Sequence, residues 1–326
     1  MNIKPANSEK HLIKLDIDGT STEADFTTLN EKLNKVLQKL KAQGHKICFT
    51  TGRNYLSALP FYNKVGLDTY LVTYNGAYIN NPSDKDNKEI VVFHTIKNNI
   101  IRDILNEPVI KENIKNVLID HVAGLKAEGG INLKTISTSD DIYYREIFFN
   151  NNPYKKEAEI KESDKEIPIY ISERPLQLLG KKDVLQLVLE FPKDEKMFNE
   201  ILLTLRRKYS DAITFYFGSK LKAKNPGDKI LVPDPERKII KIRNELASKG
   251  MGAEWVARQY KINRRNIIAF GNDVNDVELI RSVGKGIVTA DSDHYLKIYA
   301  YGITDPALPV NSDGVADYLT DYFELD

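Results

Sequence analysis

Apolar residues occur along this 326-residue chain in two rhythms, and the exchange between them outlines its architecture. The first run, His11 to Ile17 (HLIKLDI), is short and continuous, the pattern of a buried strand, and it stops at an acidic, glycine-bearing turn, DIDGT. Leu29, Leu33, Val36, Leu37 and Leu40 then recur with the spacing of one helical face. Thr27 or Thr28 is available as its N-cap, and Gly44 lies just past its end. Two more strand-like runs follow: Lys46 to Thr50 (KICFT), ending in Thr51-Gly52-Arg53, and Thr69 to Thr73 (TYLVT), ending in Tyr74-Asn75-Gly76-Ala77. Strands alternating with helices predict a parallel sheet with right-handed crossovers.

From about residue 81 to 228 the pattern changes. Polar stretches (NPSDKDNKE, KKEAEIKESDKE) separate the strand-like runs EIVVFH, IYYREIFF, IPIYIS, LQLVLEF and AITFYFG. One helix is predicted over Lys193 to Tyr209, with Met197, Phe198, Ile201, Leu202 and Leu205 on one face. This reads as an α+β unit with an antiparallel sheet, entered and left through the loops NNPSDKDN and KNPGDK. The βα rhythm then returns with a strand at Ile239 to Ile242, a helix from Gly252 to Tyr260, and a strand NIIAF running into Gly271-Asn272-Asp273-Val274-Asn275-Asp276. The expected fold class is α/β: a Rossmann-like parallel-sheet core formed by residues 1–81 and 229–326, with 82–228 inserted as an α+β domain.

Charge and composition narrow the function. Forty-seven Lys plus Arg against 46 Asp plus Glu give a formal charge of +1, which argues against a dedicated nucleic-acid or acidic-membrane surface. Cys48 is the single cysteine, so an intramolecular disulfide and a cysteine-based zinc site are excluded. No signal-peptide h-region is seen, and no run approaches the ~18 apolar residues of a membrane span. A cytoplasmic protein is expected, monomeric or homodimeric.

In an open parallel sheet the ligand site lies beyond the carboxyl ends of the strands. Those positions hold Asp16 and Asp18, Thr51 and Arg53, Asn75, and the turn Asn272 to Asp276. Four carboxylates converging on one sheet end repel unless a cation neutralises them, and a hard cation with oxygen ligands, Mg2+, is the natural solution. A carboxylate is also a competent nucleophile toward a phosphoryl group, whose transfer needs chiefly positioning and charge stabilisation.

The ordered set DIDGT (16–20), TTGR (50–53), NGA (75–77), SKG (248–250) and GNDVND (271–276) resembles the haloacid dehalogenase superfamily, specifically its Cof-type phosphatases. The resemblance implies Asp16 as nucleophile and Asp18 as general acid/base. Thr51 would hold phosphoryl oxygens, and Lys249 would neutralise nucleophile and phosphate. The metal shell would comprise Asp16, Asp18 through its carbonyl, and Asp273 or Asp276, with Asn272 as a further candidate. Gly19, Thr20, Gly52, Arg53, Asn75 and Asn275 would surround a small phosphorylated metabolite. A large insert after the second motif, none after the first, resembles the C2B type of cap domain.

This chain departs from the family pattern in three ways. Asn272 stands where Asp is common, Ser21 follows Thr20 in place of an apolar residue, and the insert is long. The last two are expected to affect the substrate entrance. A phosphomutase and a weakened phosphate-binding protein are the alternatives; a dinucleotide binder is disfavoured because no GxGxxG follows the first strand.

Overall fold

The structure, a computed structural model, describes residues 9–84, 91–125, 131–137, 169–171, 176, 179–223, 231–306 and 311–325. The chain divides into two compact units, Met1–Val92 with Ser248–Asp326, and Phe93–Ala247. Among the described residues no helix is long and apolar enough to cross a membrane.

The first unit opens with β1 (Leu12–Leu15), α1 (Glu31–Ala42), β2 (Lys46–Phe49) and α2 (Tyr55–Val65). Helix α1 buries Leu33, Val36, Leu37 and Leu40, as their spacing requires. Its N-cap is Asn30, whose side chain accepts from the Leu33 N–H, while Thr27 and Thr28 instead donate their hydroxyls to Asp25. The next elements are β3 (Leu71–Thr73), β4 (Tyr78–Asn80) and the two-residue β5 (Val92–Phe93). Strand β3 departs from the expected parallel sheet: it meets the end of β2 only at a parallel Thr50–Val72 bridge, then pairs antiparallel with β4.

The second unit contains α3 (Asn98–Asn106), α4 (Pro108–Lys111), β6 (Asn116–Leu125), β7 (Ile131–Ser137), β8 (Ile169–Ile171), β9 (Asp183–Pro192), α5 (Glu195–Tyr209), β10 (Ile213–Ala223) and β11 (Leu231–Asn244). Its six-stranded sheet has the order β10-β11-β9-β6-β7-β8, antiparallel except between β7 and β8. One face presents Ile119, Leu187, Leu189, Ile240 and Ile242, which pack with Ile101, Ile104, Phe198, Ile201 and Leu205 of the helices.

Strand β11 corrects the expected boundary. The sequence pattern places Ile239 to Ile242 in the core, yet these residues lie in β11, which pairs with β9 and β10, so the insert runs to Ala247. A short β-branched run carries no mark of which sheet completes its hydrogen bonds, and here the antiparallel neighbours do so. At the other end the division falls after Val92 rather than residue 81. The run IYYREIFF, the stretch KKEAEIKESDKE and the loop KNPGDK lie outside the described residues.

The chain returns to the first unit with α6 (Lys249–Gln259), β12 (Ile267–Gly271), α7 (Val277–Ser282), β13 (Lys285–Val288), α8 (His294–Lys297), β14 (Gly302–Ile303) and α9 (Asn311–Phe323). The parallel sheet has the order β14-β13-β12-β1-β2. Strand β1 is buried along its whole length, and Leu15 pairs with Phe270 on one side and Phe49 on the other. That register brings the residues after β1, β2 and β12 to one edge: Asp16, Thr50-Thr51, and Asn272. Cys48 is buried in the core with Leu12, Val256 and Ala269, and Trp255 packs edge-on to Tyr70.

Candidate active site

Asp16 extends β1 by one residue, its N–H donating to the Phe270 carbonyl at 3.1 Å. It is only 4% exposed. The Lys249 ammonium lies 2.9 Å from Asp16 Oδ1 and 2.6 Å from Asp276 Oδ1, and all three side chains are buried. Only the contact with Asp276 has hydrogen-bond geometry; Asp16 Oδ1 accepts no hydrogen bond. Burial pushes the Asp16 carboxyl up to about 8, opposed by Lys249 and reinforced by Asp276 and Asp18. Burial disfavours charge on Lys249 as well, but the two aspartates outweigh it and hold its pKa above the ordinary lysine range.

Lys249 reaches this position because it is the first residue of α6, which Ser248 caps by accepting from the Met251 N–H at 3.1 Å. Ser248 in turn is set against Gly76. At Gly76 φ is +97°, and a Cβ there would stand 2.3 Å from the Ser248 carbonyl oxygen. The NGA and SKG motifs thus meet backbone to backbone, which glycine alone permits.

Asp18 is turned toward Arg53. The Arg53 Nε lies 3.1 and 3.0 Å from the two carboxylate oxygens and Nη2 lies 2.5 Å from Oδ1. The same Nη2 donates to the Phe26 carbonyl, and the guanidinium sits 4.7 Å from the centre of the Phe61 ring. Gly19, at φ +68°, leaves room for the Asn272 side chain, whose Oδ1 accepts from the Thr20 hydroxyl at 3.2 Å. Thr51 is buried, its Oγ1 accepting from the Arg53 N–H. Gly52 borders Asn75 and Asn275, and these two asparagines are joined by an Nδ2–Oδ1 hydrogen bond of 3.1 Å. Asn275 Oδ1 has no partner among the described residues.

The carboxylates at this strand end are engaged within the protein. Among the described residues no three Asp, Glu, His or Cys side chains gather as one. Asp276 is already engaged, Oδ1 with Lys249 and Oδ2 with the N–H groups of Asn272 and Asp273. Asp273 is exposed and caps its own turn, accepting from the Val274 N–H. Each carboxylate has found an internal cation or N–H donor, which relieves the repulsion without a metal. The oxygen donors that would serve a hard cation are Asp16 Oδ1, which accepts no hydrogen bond and lies 2.9 Å from the Lys249 ammonium, the Asp18 carbonyl, and the side chain of Asn272 or Asp273. They fit Mg2+ in donor type, and the single Lys249 ammonium is shared between two buried carboxylates, Asp16 and Asp276, so one negative charge is left for a cation to offset.

Two residues took roles the motifs did not indicate. Ser21, expected at the substrate entrance, is buried, and its hydroxyl donates to the Asp16 carbonyl at 2.5 Å, bracing the backbone of that residue. Ser248 acts as the helix cap described above; the sequence pattern starts this helix at Gly252, whereas it begins at Lys249, and that earlier start is what makes Ser248 its cap.

The chain matches the model of haloacid dehalogenase-like hydrolases over residues 13–319. It is 26% identical over 333 residues to the 5-amino-6-(5-phospho-D-ribitylamino)uracil phosphatase of Bacillus subtilis, covering 98% of this chain and 99% of the relative. It is 23% identical over 306 residues to a second phosphatase of that bacterium, covering 90% and 94%. Its fold is similar to a haloacid dehalogenase-like hydrolase from Bacteroides thetaiotaomicron, with a TM-score of 0.67 at 16% identity over 97% of this chain and 100% of that one. The acidic strand end, the buried lysine and these matches agree: the chain belongs to the haloacid dehalogenase-like hydrolase family, as a Cof-type phosphatase.

Proposed function

We propose that this phosphatase is Mg2+-dependent, works through an aspartyl-phosphate on Asp16, and hydrolyses small phosphorylated metabolites. The observation that carries the reading is Asp16 itself, a buried carboxylate with one oxygen free of hydrogen bonds and a buried lysine 2.9 Å away. Asp16 attacks phosphorus, and Lys249 offsets the negative charge that nucleophile and phosphate bring together. Asp18 protonates the departing alkoxide and then takes a proton from the water that hydrolyses the aspartyl-phosphate. For this Arg53 has to loosen its hold on Asp18, and an incoming phosphate is a competing partner for the guanidinium. The Thr51 hydroxyl and the Asn75–Asn275 pair stand as donors to phosphoryl oxygens. Asp16, the Asp18 carbonyl and Asn272 or Asp273 would hold the Mg2+, which when bound neutralises phosphoryl charge.

Those residues address phosphate, metal or nucleophile, so the inserted unit discriminates among leaving groups. The Bacillus subtilis relative acts on a phosphoribitylamino-uracil, which supports a sugar-phosphate or cofactor-like substrate. Phosphate release from a metabolite panel tests the reading. Asp16→Asn, nearly isosteric but unable to attack, is expected to abolish turnover, and Asp18→Asn to slow it by ~10² to 10⁴-fold. Near wild-type release from Asp16→Asn would overturn the assignment.

A further inference from the structure

Between the first motif and α1 the chain turns back on itself in a short hairpin. Thr22 and Leu29 form an antiparallel bridge, the Glu23 N–H donates to the Thr28 carbonyl at 2.8 Å, and the Phe26 N–H donates to the Glu23 carbonyl at 3.0 Å. Asp25 locks the tip: its carboxylate accepts from the N–H groups of Thr27 and Thr28, both at 2.9 Å, and from their hydroxyls at 2.8 and 2.7 Å. The base is fixed as well. The Thr22 hydroxyl accepts from the Gly19 N–H at 3.3 Å, inside the DIDGT turn, and the Thr22 carbonyl accepts from the Ser312 hydroxyl of α9 at 3.1 Å.

Phe26 stands at this tip with φ at +56°, a left-handed backbone that a bulky residue keeps only where its surroundings impose it. Its side chain is a large apolar group left 36% exposed. A strained, firmly held and exposed aromatic residue contributes little to the core, and such strain gathers where a chain meets a ligand. The neighbourhood is that of the chemistry. The Phe26 carbonyl accepts from Arg53 Nη2, the same nitrogen that lies 2.5 Å from Asp18 Oδ1, so a single guanidinium nitrogen bridges the Phe26 main chain and the carboxylate that protonates the departing alkoxide. The Asp18 side chain is 43% exposed, which leaves the approach to it open. A leaving-group oxygen has to come within hydrogen-bond reach of Asp18, and that brings the carbon bearing it alongside the hairpin tip. All of these residues belong to the first unit.

We propose that Phe26 is a specificity residue for the leaving group, its ring a platform that favours phosphomonoesters with a flat aromatic group one carbon from the ester oxygen. This rests on the mechanism proposed above, in which Asp16 attacks and Asp18 protonates, and it adds a contribution of the first unit to the discrimination assigned to the inserted one. A ring that merely supports the hairpin would change the turnover of all esters by the same factor.

The test compares kcat/KM of the full chain for benzyl phosphate and ethyl phosphate, whose alkoxide leaving groups are of similar basicity. Wild type should favour benzyl phosphate by about two- to tenfold, the size of one aromatic contact. Phe26→Ala should bring the ratio close to one, chiefly by raising KM for benzyl phosphate, while Phe26→Tyr should keep the preference. Phe26→Asn, a residue suited to left-handed backbone, removes the ring with the turn preserved and should lose the preference as well. A measurement free of turnover separates failure of the mechanism: the melting temperature of Asp16→Asn should rise more with benzyl phosphate than with ethyl phosphate, and the difference should vanish when Phe26→Asn is added. Phosphate release surviving in Asp16→Asn would sink the mechanism. A wild-type ratio at or below one, a preference that survives in Phe26→Asn, both esters slowed by the same factor, or equal melting shifts would each overturn the role of Phe26.

Discussion

Arg53 grips Asp18 by both carboxylate oxygens, at 3.1 and 3.0 Å from Nε and 2.5 Å from Nη2, across 35 positions of sequence. The same guanidinium binds the Phe26 carbonyl, so one side chain ties the segment after the first motif to the proposed acid/base residue. The pair is only partly shielded, Asp18 being the more exposed partner, so its worth lies more in orientation than in stability.

Replacing Arg53 should therefore separate orientation from charge. Arg53→Lys keeps the cation but loses the two-pronged geometry, and kcat is expected to fall about tenfold with a smaller change in KM. Arg53→Ala should lose more, with an unchanged far-UV circular dichroism spectrum. Wild-type kcat in Arg53→Lys would show that the pairing does not position Asp18 for catalysis.

Chelation should abolish turnover and Mg2+ restore it, with Ca2+ a poor substitute because its larger, looser shell disturbs in-line geometry. Excess Mg2+ should also raise the melting temperature of wild type more than that of Asp16→Asn. The ligand next to Asp16 is decided by comparing Asn272→Ala with Asp273→Ala: the one that raises the Mg2+ concentration needed for half-maximal activity supplies it. Full activity after exhaustive chelation would exclude the metal requirement.

The raised Asp16 pKa makes the stability of the metal-free protein pH-dependent, with a sign that can be worked out. A carboxyl whose folded pKa, about 8, lies above its unfolded value stabilises the fold while protonated. That contribution is complete below the unfolded pKa of about 3.9 and is lost as the pH rises through the folded one. Asp16→Asn stays neutral throughout and leaves Lys249 and Asp276 a balanced buried pair. In EDTA it should melt above wild type at about pH 9, with the gap closing toward about pH 5. A gap that does not change with pH would refute the account.

Gly76→Ala tests the contact between the NGA and SKG motifs. The added methyl would sit 2.3 Å from the Ser248 carbonyl oxygen at a φ of +97°, so backbone must move. A loss of about 2–4 kcal/mol in denaturant unfolding is expected from crowding plus left-handed strain. Because Ser248 caps the helix that begins with Lys249, kcat should fall as well. Wild-type stability and kcat together would mean that this approach is not needed.

Local pattern accounts for much of this protein. A continuous apolar run stopping at DIDGT, and another at GNDVND, mark strands whose ends present carboxylates, because burial on both faces of a parallel sheet demands such runs. The stripe Leu33, Val36, Leu37 and Leu40 marks a helix because one face has to be buried. Partnership is not a local property. That Asp276 takes Lys249, that Asp18 takes Arg53, and that Asn75 meets Asn275 200 residues away depend on strand order and register, which bring three loops to one sheet edge. The same holds for Ile239 to Ile242, equally apolar in either sheet, whose place is settled only once β11 lies beside β9. Burial and periodicity act between neighbours in sequence, whereas ion pairs and hydrogen bonds form between neighbours in space, and only folding determines who those are.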